Sequence, residues 1–70
     1  MMDIIEYLED KAQKIIDASN VDDAYSEYTQ LYGIVKALVE CDLYKDDAQL
    51  QKADDIFMQS GHFMSDNWSK

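Results

Sequence analysis

A chain of 70 residues is long enough for one domain and no more. Its 47% apolar content excludes wholesale disorder, and the lack of proline with only two glycines excludes collagen, low-complexity and turn-rich β-sandwich classes. Six lysines and no arginine against fifteen acids leave a formal net charge of −9, which opposes direct binding to nucleic acid.

The chain reads as three helices. In the first, about 3–18, Ile4, Ile5, Leu8, Ala12, Ile15 and Ile16 recur at spacings of three and four, the one-face pattern of a 3.6-residue period. Glu6, Glu9, Asp10, Lys11, Gln13, Lys14 and Asp17 fall between them and read as a solvated face, with Asp10 and Lys14 forming a favourable i,i+4 pair.

Ser19 and Asn20 make the first break. Both are good N-cap residues, and Ser19 with Asp22 three residues on is a weak capping box. Asp22 and Asp23 then meet the positive end of the helix dipole. The second helix, about 21–42, carries the strongest stripe: Val21, Ala24, Tyr25, Tyr28, Leu31, Tyr32, Val35, Leu38 and Val39. Behind it, Gly33, Ile34, Ala37 and Cys41 form a second face of small and apolar groups. A helix apolar nearly all round belongs inside something, and two short neighbours cover one broad face. The other is expected to meet a second copy of the chain.

Asp46 as N-cap with Gln49 at the third helical position starts the third helix, about 47–59, although the weak break leaves a continuous rod with the second helix open. Its stripe is Leu50, Ala53, Ile56 and Phe57. Ser60-Gly61 places glycine where a left-handed C-terminal cap is wanted, so 62–70 reads as an irregular tail. In that tail Phe63, Met64 and Trp68 either fold back as a lid or anchor a partner.

Little in the chain points to chemistry. The single histidine, His62, follows the expected helix stop and has no evident orienting partner. The single cysteine, Cys41, sits between Glu40 and Asp42, whose negative charges oppose a thiolate and make it a poor nucleophile. No EF-hand spacing is present, and two of the acidic doublets stand where helix N-termini favour acids anyway. Catalytic, cofactor and metal residues are therefore expected to be none. Tyr7 and Tyr44 lie off the stripes and are candidates for exposed contacts, whereas three tyrosines fall on the main stripe of the second helix.

Domains below roughly 70–80 residues usually add a staple, and one cysteine makes no internal disulfide. Helical packing alone or self-association remains, and self-association is the expectation. The N-terminal segment has no basic region and no apolar run long enough for a signal peptide or membrane span, and a lone thiol fits a reducing compartment, so the chain is expected in the cytoplasm, away from membranes.

The expectation is an all-α three-helix domain, assembled as a homodimer through Gly33, Ile34, Ala37 and Cys41, that acts without catalysis by occluding or scaffolding a protein with a basic surface. Partner contacts are expected at Asp46, Asp47, Asp54, Asp55, Phe63, Met64 and Trp68. The alternative is an acidic nucleic-acid mimic, of the kind carried by phages or mobile elements, that blocks a DNA- or RNA-binding protein.

Overall fold

The computed structural model describes residues 3–68, which form three α-helices and, among the described residues, no strand. The all-α, three-helix expectation holds. Each helix packs against both others. The longest dimension is 36 Å, half of the roughly 70 Å that one continuous rod through the second and third helices would span at 1.5 Å per residue, so the chain turns between them.

Helix α1 runs Ile4–Asp17. Leu8 and Ile15 are fully buried, with Ile4 and Ile5 packed beside them. Lys11, three residues after Leu8 and four before Ile15, stands in the same row and is also buried, which corrects its placement on the solvated face. The Asp10–Lys14 pair forms at 3.3 Å on the outer surface, where screening leaves it little energetic weight.

Helix α2 runs Val21–Glu40. Its cap is Asn20 rather than Ser19: the Asn20 Oδ1 accepts from the Asp23 backbone N–H at 2.9 Å, and the Asn20 Nδ2 donates to the Asp23 carboxylate at 3.3 Å. The helix ends two residues earlier than its apolar composition suggests. Asp42 adopts φ 53°, and the Leu43 N–H reaches back to the Leu38 carbonyl at 3.1 Å, the long bond of a Schellman cap. Asp tolerates the left-handed region better than most residues other than glycine, so a helix can stop here without one.

Helix α3 runs Asp47–Trp68, well past the expected stop. Its start is the expected cap: the Asp46 Oδ1 accepts from the Gln49 N–H at 2.8 Å, and the Gln49 Oε1 accepts from the Lys45 N–H at 2.6 Å. Gly61 is not a terminator. It has no positive φ and continues the helix, so 62–68 is helix rather than irregular tail. The buried row Ala53, Ser60, Met64 persists at spacings of seven and four, and packing that row offsets the roughly 1 kcal/mol that a mid-helix glycine costs. Residues 69–70 of the expected tail lie outside the described residues.

The core is Leu8, Ile15, Ala24, Leu31, Val35, Leu38, Ala53 and Met64. On α2 the buried row is Ala24, Leu31 and Leu38, flanked by Tyr28, Val35 and Ile34. This face is turned by roughly 50° from the centre of the sequence stripe, at about 100° per residue. The helix thus draws Ile34 into the core and leaves Val21, Tyr25, Tyr32 and Val39 exposed.

Candidate interaction surface of α2 and α3

The rotation of α2 decides which of its own apolar residues stay in water. Tyr25, Tyr32 and Val39 keep 62%, 45% and 51% of their surface in water, on the side of α2 that borders α3. Phe57 of α3 lies across this border, with its ring 5.7 Å from that of Tyr28 in a stacked arrangement and 5.5 Å from that of Tyr32 in a tilted one. Thr29 donates its hydroxyl to the Tyr25 carbonyl at 2.8 Å, which removes its own polarity from the groove. Lys36 places its ammonium 5.7 Å over the Tyr32 ring.

Two hollows follow this α2–α3 seam. One is lined by Tyr25, Tyr28, Thr29, Tyr32 and Phe57. The other has Val39 and Leu50 as its apolar walls, with Asp47, Gln51 and Asp54 beside them. Neither lining includes a histidine, cysteine or lysine. Among the described residues no three His, Cys, Asp or Glu side chains converge as a metal site would require. Nor is any helix among them long and apolar enough to cross a membrane.

The residues expected at a subunit contact are divided. Ile34 and Ala37 are half-buried, and Ile34 packs on the chain's own core. Gly33 and Cys41 are exposed, and a Cβ added at Gly33 meets nothing within 4 Å. The uncovered apolar row of α2 is on a different side, because the core already uses Ile34.

The residues expected to meet a partner are divided as well. Asp46, Asp47, Asp54 and Asp55 are all exposed. Asp46 serves the cap of α3, and Asp55 accepts from Gln51 at 3.2 Å. Asp47 and Asp54 line the second hollow. Met64 is a core residue, and Phe63 and Trp68 pack against that core, so these three stabilise the fold as part of α3 rather than project from a tail. Tyr44, expected as an exposed contact, also packs on the core, while Tyr7 lies at the rim with the Lys11 ammonium 5.5 Å from its ring centre. His62 is exposed on α3.

The feature that sequence reasoning missed is polar and buried. Lys11 is only 8% exposed. Its ammonium donates to the Gln30 Oε1 at 2.6 Å and lies 3.0 Å from the Glu27 carboxylate. The Glu27 contact holds the Lys11 pKa above its usual 10.5, outweighing the opposite effect of burial, with the Tyr7 hydroxyl adding to the rise. A sign of this pair was present in the sequence. Lys11 interrupts the Leu8–Ile15 row of α1, and Glu27 interrupts the Ala24–Leu31 row of α2, with opposite charges at equivalent places.

No protein-family model, no curated protein and no solved structure matches this chain.

Proposed function

We propose that the protein is a non-enzymatic binding module that acts by occupying the surface of another protein, either masking it or holding it in place. The observation that carries this reading is the row Val21, Tyr25, Tyr32 and Val39, which stays in water although the three helices have closed a core of their own. Tyrosine-rich apolar surface of this kind is what protein partners bury, with the rings supplying contact area at little entropic cost. The net charge of −9 selects a partner with a basic surface and speeds encounter with it. The exposed, unpaired Cys41 suits a reducing compartment, and we place the protein in the cytoplasm.

Homodimerisation through Gly33, Ile34, Ala37 and Cys41 has narrower support, since only the small residues Gly33 and Cys41 of that set are exposed. Scattering mass of wild type and of Ala37→Glu decides it: a mass of one chain for both excludes that contact. The acidic-mimic reading is favoured by one observation. Asp46, Asp47, Asp54 and Asp55 are exposed, and none joins the lysine ion pairs among the described residues, Lys11–Glu27 and Lys14–Asp10. The experiment that separates the readings is capture of a partner by wild type and by the double variant Tyr32→Lys/Val39→Lys. Loss of capture in the variant supports the apolar surface. Retained capture that is abolished by moderate salt and by added DNA or RNA supports the mimic.

A further inference from the structure

We infer that the α2–α3 seam is a docking groove for a basic amphipathic helix of another protein, which lies along it as a fourth helix with apolar anchors seven residues apart. The inference rests on the binding-module reading and adds the chemistry and register of the partner. The two hollows set the register. Val39 is seven residues from Tyr32 on α2, and Leu50 is seven residues from Phe57 on α3, so on both walls the hollows are about 10.5 Å apart, two helical turns. A helix presenting large apolar side chains at i and i+7 seats one in each. A cleft between two antiparallel helices, with no strand among the described residues to extend, is completed by a further helix.

Charge decides whose helix it is. Asp47 and Asp54 line the Val39–Leu50 hollow on its α3 wall, so they meet cations that flank the anchor filling it. Lys36, the cation of the seam, is folded over the Tyr32 ring at 5.7 Å at the other hollow. The partner's basic residues therefore belong at the end that covers Val39 and Leu50. A second copy of this chain brings fifteen acids and no arginine to the same place, and like charge opposes it.

The test uses the full chain and a labelled synthetic helical peptide with Leu at i, i+4, i+7 and i+11 and Lys on its flanks, read by fluorescence anisotropy at low and high salt. A scrambled peptide of the same composition is the control for charge alone. Wild type is expected to bind the amphipathic peptide roughly tenfold more tightly than the scrambled one, and Tyr32→Lys or Val39→Lys to lose that margin, both positions being exposed enough to leave the fold intact by circular dichroism. Asp47→Asn/Asp54→Asn is expected to weaken binding and flatten its salt dependence. Equal binding of both peptides, or binding indifferent to Val39→Lys, overturns the proposal. So does a scattering mass of two chains that Val39→Lys returns to one, which would make a second copy the occupant. A protein partner still captured by Tyr32→Lys/Val39→Lys overturns the groove but leaves the binding-module reading intact at another face.

Discussion

Gly61 of α3 lies against the hydroxyl of Tyr28 on α2: a Cβ built at position 61 would stand 3.3 Å from that oxygen. The glycine that looks like a helix terminator in the sequence is instead the point where two helices approach closely, and Tyr28 uses the space to stack on Phe57.

The two glycines should therefore respond differently to alanine. At Gly33 nothing lies within 4 Å, so Gly33→Ala should gain close to the full helix-propensity difference, about 1 kcal/mol. At Gly61 the same gain is offset by displacing the Tyr28 hydroxyl by a few tenths of an ångström, and Gly61→Ala should come out near neutral. Gly61→Val should destabilise. Urea midpoints of the three variants check the order Gly33→Ala above Gly61→Ala above Gly61→Val.

Removing Lys11 alone strands the Glu27 carboxylate in a half-buried site. Lys11→Met should cost about 1–3 kcal/mol, whereas Lys11→Met/Glu27→Leu should recover most of it, because a buried ion pair exchanged for apolar groups is often neutral. A double-mutant cycle by denaturant unfolding measures the coupling.

The same pair predicts an alkaline effect. The folded-state pKa of Lys11 is raised above its unfolded value near 10.5, so its contribution is complete below that pH and is lost as pH rises through the higher folded value. Wild type should lose stability above pH 10.5 faster than Lys11→Met, which lacks this group. Thermal midpoints across that range compare them.

Asp42 holds φ 53° where glycine is at ease. Asp42→Gly should stabilise by a few tenths to about 1 kcal/mol by relieving the left-handed strain at the end of α2. Asp42→Val should destabilise, since a β-branched residue is a poor fit there.

Met64 reports on the part of α3 that continues beyond Gly61. As a core residue, Met64→Ala should cost about 2–5 kcal/mol, whereas in an irregular tail it would cost little. Hydrogen exchange adds a local readout: the amides of residues 62–68 should be protected as helix rather than exchange freely.

The class of the fold, the breaks at Ser19-Asn20 and near Asp46, and the cap built from Asp46 and Gln49 were legible from the residues alone. The reason is range: a cap joins groups three or four positions apart, and an apolar period repeats within a few turns, so neighbours in sequence suffice. Three things needed the assembled bundle. α2 has apolar residues around most of its girth, and only the positions of α1 and α3 decide that Ile34 turns inward while Tyr25, Tyr32 and Val39 face water. Gly61 is a stop by local propensity but a contact point once Tyr28 stands opposite, and burial of Met64 carries the helix through it. Lys11 reads as solvated until Glu27 and Gln30 arrive from another helix to satisfy its charge. Helix signals act along the chain, whereas the choice of which side to bury is a free-energy balance struck between elements, and no single segment contains it.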